Sequence, residues 1–157
     1  MLASAAAPAG HTDGARGFVS KLYSHYPVAG HVPEFDPLGK AMGSVFDPSL
    51  IALILKDREL AKGEVGALDG DPLCDCQDDS GLQFKVASVT PDGPERAKAV
   101  ITRRDPEASP PEAEKITVDL VRVGGRWRVH DIGTPDTPSL RAYLIKSNQE
   151  AADTPGE

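Results

Sequence analysis

The sequence lacks the features that mark several common protein classes. No apolar run approaches the ~20 residues of a membrane-spanning helix. Lysine and arginine total 17 against 24 aspartates and glutamates, which gives a net charge of −7. A nucleic-acid-binding protein needs a basic surface to displace counterions from phosphates, and an anionic membrane attracts cations similarly. The composition therefore argues against nucleic acid and an anionic membrane as partners, and predicts no membrane span.

Aromatic residues and cysteines are also few. Eight of the 157 residues are aromatic and two are cysteine, while 39% of the chain is hydrophobic. A chain of this length can bury the core of one domain. We expect a single domain over residues 13–149, preceded by a disordered arm at 1–12 and followed by a disordered tail at 150–157.

The first ten residues, MLASAAAPAG, have the composition of the end of an export signal. Small residues in an A-x-A arrangement are typical of a signal-peptide cleavage region. A disordered alanine-rich arm is the alternative interpretation. We favour the signal remnant, which predicts a periplasmic or secreted protein in a compartment where disulfides persist.

Two helices are predicted in the first half of the chain. Apolar residues recur at helical spacing over residues 13–26, where Asp13 can cap the helix. After a loop with one possible helical turn, a second helix follows Asp47. Asp47 can cap that helix, and Pro48 suits its first helical position.

The second half changes to the period of two that is typical of strands. The predicted strands are residues 81–90, 96–104, 115–123 and 126–132, and a short C-terminal helix covers 138–148. Two glycines between the last two strands have the composition of a hairpin turn. This order predicts an α+β fold, with N-terminal helices packed on a curved four-stranded antiparallel sheet and a short helix at the C-terminus.

The last hairpin predicts a cross-strand register. If residues 124–125 form the turn, Val118 opposes Asp131 and Asp119 opposes His130. Asp131 would then lie on the core face or at its rim. Because an unpaired buried carboxylate is costly, Asp131 must either have a partner or line a pocket.

The most unusual segment is LDGDPLCDCQDDSG, residues 68–81, called the acidic loop below. It holds both cysteines, Cys74 and Cys76, among five aspartates and one glutamine. Structural zinc needs four cysteine or histidine ligands, usually in two spaced pairs. A calcium loop needs glycine and glutamate at its sixth and twelfth positions, which are Ser80 and Val86 here. The sequence therefore predicts no metal site.

Two interpretations of the cysteine pair remain. A redox or nucleophilic cysteine needs a thiolate, which the surrounding carboxylates disfavour. A disulfide between Cys74 and Cys76 is compatible with disulfide geometry and would rigidify the turn, although so short a ring gains little loop entropy. We expect the disulfide, and we expect the loop to be structural first and a binding surface second.

Four motifs occur together in the chain: FVSKLYSHY, EVGALDGDPLCDCQD, GRWRVHDI and SLRAYL. In this order they resemble a family of small exported bacterial envelope proteins of unknown function, over roughly residues 15–146. Members of that family look like the nuclear-transport-factor-two-like, or cystatin-like, superfamily, in which helices close a cone of curved sheet. The resemblance implies this fold for the chain and leaves the function open, because the superfamily includes both enzymes and binding proteins.

The expected function is binding. We predict an exported, non-enzymatic protein that uses the acidic loop and the mouth of the cone to bind another protein, without a cofactor or a metal. A periplasmic immunity protein that binds a cognate toxin is one concrete form, because carboxylates steer association with a basic partner. The predicted binding residues are Asp69, Asp71, Asp75, Gln77, Asp78, Asp79, Tyr23, Tyr26 and Asp131.

Two alternatives stay open. One is a pocket enzyme of isomerase or hydrolase type with Asp131 as the base. Tyr23, Tyr26 and Asp69 could complete a set similar to that of ketosteroid isomerases. The other alternative is an exported antibacterial toxin of the same fold. A deep pocket converging on Asp131 would favour the enzyme, and a filled interior beside an exposed acidic loop would favour the binding protein.

Overall fold

The structure, a computed structural model, describes residues 10–108, 110 and 112–154. The signal remnant and most of the arm predicted at residues 1–12 lie outside this range and stay predictions. In chain order the elements are α1 (Gly10–Ser24), α2 (Met42–Val45), α3 (Pro48–Ala61), β1 (Gln83–Pro91), β2 (Arg96–Asp105), β3 (Glu112–Val123), β4 (Arg126–Gly133) and α4 (Leu140–Asp153). The predicted α+β class is confirmed. None of the described helices is long and apolar enough to cross a membrane.

Helix α1 begins earlier than predicted. Its range of Gly10–Ser24 places Asp13 inside the helix, so the prediction that Asp13 caps it is wrong. The predicted apolar spacing is present, because Val19, Leu22 and Tyr23 are all buried on one side of the helix. This side packs against β1 and β2. The periodicity therefore identified the buried face of the helix, although not its first residue.

Helix α3 begins as predicted. Asp47 has extended backbone geometry, and its Oδ1 accepts a hydrogen bond from the backbone N–H of Leu50 at 2.8 Å. Pro48 occupies the start of the helix, where its missing N–H costs nothing. The helix ends at Ala61 and is capped by Lys62, which adopts a left-handed φ of 51°. Because Asp47 fixes the first turn of α3, it also fixes which residues of this helix face the core.

The four strands form one antiparallel sheet in the order β1-β2-β3-β4, which is the predicted meander. Strand β3 begins within the acidic, proline-rich segment that the sequence predicted to be loop. The four helices contact one another or the inner face of the sheet, and the core lies between these layers. Its largest fully buried side chains are Phe46, Leu50, Ile54, Leu73, Ile101, Ile116, Leu120 and Leu144.

The predicted register of the last hairpin holds near the turn and fails beyond a β-bulge. Asp119 pairs with Asp131, and the register shifts between Asp119 and Leu120. One extra residue, His130, is thereby accommodated in β4. The predictions that Asp131 opposes Val118 and that Asp119 opposes His130 are therefore wrong. Asp131 shares a face with Asp119 and not with the core residues of the sheet.

Helix α4 is longer than predicted. It continues through Asp153, so residues 150–153 are helical where the sequence predicted the start of a disordered tail. Residues 155–157 lie outside the described range. The helix begins after Ser139, whose Oγ accepts a hydrogen bond from the N–H of Ala142 at 3.1 Å. Leu140 and Leu144 face the core and hold α4 against α3 and β4.

Candidate binding surface at the acidic loop

The acidic loop is closed by the predicted disulfide. Cys74 and Cys76 are bonded, with 5.2 Å between their Cα atoms. Asp75 between them adopts a φ of 52°, a conformation that residues other than glycine rarely adopt. Asp71 and Cys76 also pair as an antiparallel bridge, in which the N–H of Asp71 donates to the carbonyl of Cys76 at 3.0 Å. The turn is therefore braced by a covalent bond and by backbone hydrogen bonds.

Gly70 makes this closure possible. A Cβ atom at this position would lie 2.7 Å from the carbonyl oxygen of Cys76. The contacted atom is backbone within the bridge, so it cannot move aside without breaking the hydrogen bonds to Asp71. A side chain at position 70 would force the loop open.

Helix α1 and the residues just after it anchor the loop through two tyrosines. The hydroxyl of Tyr23 donates to the carbonyl of Leu73 at 2.8 Å, and that of Tyr26 donates to Oδ2 of Asp71 at 2.5 Å. The N–H of Leu73 donates to Oδ1 of Asp71 at 2.8 Å. Both tyrosine rings pack against Phe84. The structure thus brings three of the predicted binding residues together, and their contacts hold the loop in place.

The surroundings of Asp71 and Tyr26 keep the hydroxyl group of Tyr26 protonated. Burial raises the pKa of the Asp71 carboxyl group above its usual value, although the hydrogen bonds from Tyr26 and Leu73 oppose this shift. Burial and then the charge of Asp71 raise the pKa of Tyr26 far above its usual value. Tyr26 therefore remains protonated and donates its hydrogen bond to Asp71 at neutral pH.

A second anchor joins the far end of the loop to the segment after α1. Asp79 is buried, and its Oδ2 accepts a hydrogen bond from the backbone N–H of His31 at 2.6 Å. Its Oδ1 lies 2.8 Å from Nδ1 of the same histidine. This hydrogen bond raises the pKa of His31, while burial partly opposes the shift. Sequence reasoning missed His31 as a partner because the two residues are 48 positions apart and no local motif links them.

Two further residues outside the sequence prediction support the loop and the segment leading into it. Asp57 of α3 is buried, and its carboxylate accepts hydrogen bonds from the N–H groups of Ala67 at 2.8 Å and Leu68 at 3.0 Å. Nε of Arg103 in β2 donates to the carbonyl of Cys74 at 2.8 Å. The one sequence signal for Asp57 was its position on the otherwise apolar side of α3. A carboxylate buried there needs hydrogen-bond partners.

The braced loop forms one wall of a cleft of about 290 Å³. Its polar lining comes mainly from Asp69, Asp71, Asp75, Gln77, Thr134 and Thr137. Ile132, Leu140 and Tyr143 line it as well and supply an apolar surface. A lysine or arginine side chain has the matching two parts, an apolar stem and a cationic head. The cleft is therefore chemically suited to a basic side chain.

The remaining predicted residues of the loop divide between structure and surface. Asp78 is exposed, and its Oδ1 accepts hydrogen bonds from Ser80 Oγ at 2.6 Å and Ser80 N at 3.0 Å. These hydrogen bonds lower the pKa of Asp78, so its carboxylate is charged at neutral pH. Gln77 is exposed and reaches the carbonyl of Asp69 at 3.4 Å. Asp78 and Gln77 therefore present polar groups at the surface of the loop.

Asp131 lies apart from the cleft lining. Its Oδ1 accepts hydrogen bonds from the backbone N–H groups of Arg141 at 3.0 Å and Ile132 at 2.9 Å. Its Oδ2 accepts a hydrogen bond from Ser139 Oγ at 2.6 Å. The carboxylate therefore has the partners that the sequence required. Ser139 and Arg141 are located at the N-terminus of α4, where a negative charge is favourable.

A second carboxylate–histidine pair lies at the N-terminus of α3. Oδ2 of Asp47 is 2.6 Å from Nδ1 of His130, and Oδ1 is 3.7 Å from the guanidinium of Arg141. Burial disfavours the charge on Asp47, but hydrogen bonds from His130, Leu50 and Ser49 outweigh it and lower its pKa. These contacts link α3, β4 and α4. The charged side chains of Asp47, His130 and Arg141 therefore have a structural role at the junction of the three elements.

Potential metal ligands do not converge in the described ranges. No group of three or more histidine, cysteine, aspartate or glutamate side chains between residues 10 and 154, apart from the two undescribed positions, could hold a metal ion. Three aspartates of the acidic loop are instead bonded to separate protein groups: Asp71 to Tyr26, Asp78 to Ser80 and Asp79 to His31.

The fold and the loop together define a small α+β protein with a braced acidic loop beside a cleft. Among known proteins, the chain is similar to the uncharacterized protein YqhG of Escherichia coli strain K12, with 31% identity over 137 residues. The match covers 85% of this chain and 43% of YqhG, so the chain spans less than half of the length of that relative. No family model and no solved structure matches the chain. The similarity is thus to a bacterial protein whose name assigns no activity.

Proposed function

We propose that the protein is an exported, non-enzymatic binding protein whose acidic loop and adjoining cleft dock a basic segment of another protein. One observation carries the proposal. The loop is fixed in the free chain by its disulfide and by Tyr23, Tyr26 and Arg103, while the carboxylates of Asp69 and Asp75 border the open cleft.

Rigidity favours binding because association otherwise costs the entropy of ordering a loop. A disulfide-closed turn with backbone hydrogen bonds has little of this freedom left to lose. Exposed carboxylates also attract a basic partner before contact and orient its approach. The arrangement therefore supports a pre-formed surface that is specific for positive charge.

The fold that we propose for this role is the nuclear-transport-factor-two-like cone. Support comes from the order of the elements, with three helices before an antiparallel meander and one after it. The space between helices and sheet is filled by buried apolar side chains, including Phe46 and Ile101. A filled interior beside an exposed acidic loop supports surface binding more than chemistry inside a cone.

A periplasmic immunity protein is the concrete form that we favour. Such a protein would place the acidic loop against the basic site of a cognate toxin and block it. The alanine-rich N-terminal sequence supports export, and the aspartates of the loop support a basic partner. The exported-toxin alternative has no observation in its favour among the described residues.

The enzyme alternative has less support. A general base must reach a substrate, but both oxygens of Asp131 are occupied by groups at the start of α4 and by Ile132. Asp131 also lies outside the cleft lining, whereas Tyr23 and Tyr26 serve as anchors of the loop. The proposed role of Asp131 is therefore structural.

Isothermal titration calorimetry with an arginine-rich peptide tests the proposal. The double variant Asp69→Asn/Asp75→Asn should weaken binding about threefold to tenfold, the range expected for two exposed charge contacts. The matched control Asp92→Asn/Asp153→Asn removes two exposed charges outside the cleft lining and should bind like the unmodified protein. Equal weakening in both variants, or equal binding of a glutamate-rich peptide, would overturn the role of the loop.

A further inference from the structure

The outward face of the sheet is basic although the protein as a whole is acidic. Strand register defines this face: Lys85 pairs with Thr102, Thr102 pairs with Lys115, and Lys98 pairs with Asp119. Side chains alternate between the two faces along each strand, so these residues share the face opposite the buried core. Six exposed basic residues lie on it: Lys85, Arg96, Lys98, Arg104, Lys115 and Arg126.

Carboxylates on this face are few and already engaged. Asp119 lies 3.7 Å from the Nζ atom of Lys98. Asp131 accepts its hydrogen bonds at the start of α4. Among side chains that the structure describes on this face, positive charge therefore exceeds negative charge. In a chain with a net charge of −7, this means that the charges are segregated.

The acidic loop lies on the other side of the sheet. It is held by Tyr23 of α1, by Tyr26 just after that helix, and by Arg103, whose neighbours along β2 point outward. At physiological salt, mobile ions screen exposed charges beyond a Debye length of ~8 Å. A partner at the outward face therefore experiences the basic residues and little of the loop. The net charge of −7 argued against anionic partners, but the local charge of this face is positive.

We propose that the outward face of the sheet is a peripheral docking surface for a bilayer that contains anionic phospholipids. The positive charges are distributed across all four strands, which suits a plane of headgroups better than a single line of phosphates. The hydroxyl groups of Thr102 and Thr117 lie among them and can donate to phosphate oxygens. Trp127 and Phe84 belong to the inner face, so the described part of the outward face has no aromatic platform for stacking nucleic-acid bases.

The expected strength follows from the number of charges. Each lysine or arginine near an anionic membrane strengthens binding by about fivefold. Apolar side chains contribute little to this face: Val100 and Val121 are half-buried, and Val123 is the one exposed large apolar residue among those described on it. We therefore expect reversible binding that is strong at low salt and lost at high salt.

Co-sedimentation with lipid vesicles tests the proposal on the whole chain. The protein should bind vesicles of phosphatidylcholine and phosphatidylglycerol at low salt, and it should not bind phosphatidylcholine alone. The variant Lys85→Gln/Arg104→Gln/Lys115→Gln should lose about a hundredfold in affinity, since three charges contribute about fivefold each. The charge-keeping variant Lys85→Arg/Lys115→Arg should bind normally.

A matched control removes three exposed positive charges outside this face. The variant Lys21→Gln/Lys40→Gln/Lys146→Gln has the same net charge as the first variant and should keep its affinity for the anionic vesicles. Equal losses in the two triple variants would overturn the docking face, as would no binding at low salt. Tighter binding of duplex DNA than of anionic vesicles at the same salt would also overturn it, in favour of nucleic acid.

Discussion

At the scale of single residues, hydrogen bonds to backbone groups hold the acidic loop where it is. Tyr23 satisfies the carbonyl of Leu73, Arg103 satisfies that of Cys74, and Asp57 satisfies two N–H groups where the loop begins. Leaving a buried donor or acceptor without a partner costs about 1–3 kcal/mol. Each anchor therefore stabilises the loop mainly because it gives a backbone N–H or carbonyl group a hydrogen-bond partner.

Asp131→Asn should destabilise the protein by about 1–3 kcal/mol, because asparagine loses a charge-assisted acceptor at the start of α4 and adds an ill-placed donor. The comparison is a denaturant titration against Asp136→Asn, which changes an exposed residue of the preceding turn. If the Asp131 variant unfolds at the same or a higher midpoint, its role is not structural and the enzyme alternative gains support.

His31→Gln should make the unfolding free energy less dependent on pH. The folded-state pKa of His31 is raised by its hydrogen bond to Asp79 from the ordinary value of 6.5. Its contribution to stability is therefore complete below pH 6.5 and decreases as pH rises through the folded-state pKa. Denaturant titrations across this interval should show the decrease in the unmodified protein.

The variant Asp79→Asn removes the same pair from the other side and should flatten the pH dependence as well. An unmodified protein whose stability increases from pH 6.5 upward would contradict the pairing of His31 with Asp79.

Residue chemistry alone predicted part of this site. The prediction that Asp131 has a partner is confirmed, although the register that placed it on the core face was wrong. The tyrosines and the aspartates of the loop were also predicted, but the contacts between Tyr26 and Asp71 and between His31 and Asp79 were not. These contacts depend on how α1 and the following segment pack against the loop, and local sequence patterns contain no information about that packing.

At the scale of elements, one irregularity in β4 connects the sheet to two helices. The bulge at His130 brings its ring to Asp47 at the start of α3 and the carboxylate of Asp131 to the start of α4. Hydrophobic periodicity predicted the four strands and the helices α1 and α3. It could not predict the bulge, because counting outward from a turn assumes one residue opposite one residue.

Gly70→Ala should open the acidic loop and lower the melting temperature by several degrees, since the added methyl group would clash with the carbonyl of Cys76. The matched change Gly17→Ala lies in α1 with nothing within 4 Å of the new methyl group. It should stabilise the protein by about 0.5–1 kcal/mol, because alanine favours a helix more than glycine does. Thermal melting of both variants checks this pair, and equal shifts would contradict the close approach at Gly70.

At the scale of the whole molecule, charge is divided between two sides. The acidic loop lies with the helices, and the basic residues of the outward face lie across the sheet from it. The α+β class follows from the order of helical and strand periodicities in the sequence. The division of charge does not, because composition gives one sum of −7 and only the pairing of strands assigns each side chain to a face.

The most direct test of the central claim, that the acidic loop is a binding surface for basic protein segments, is a heteronuclear NMR titration with an arginine-rich peptide. We predict saturable changes in amide chemical shift in residues 68–81 and in the facing cleft residues Thr134, Thr137 and Tyr143. A glutamate-rich peptide of equal length should leave these signals unchanged. Saturable changes confined to other parts of the chain, or none with either peptide, would contradict the account.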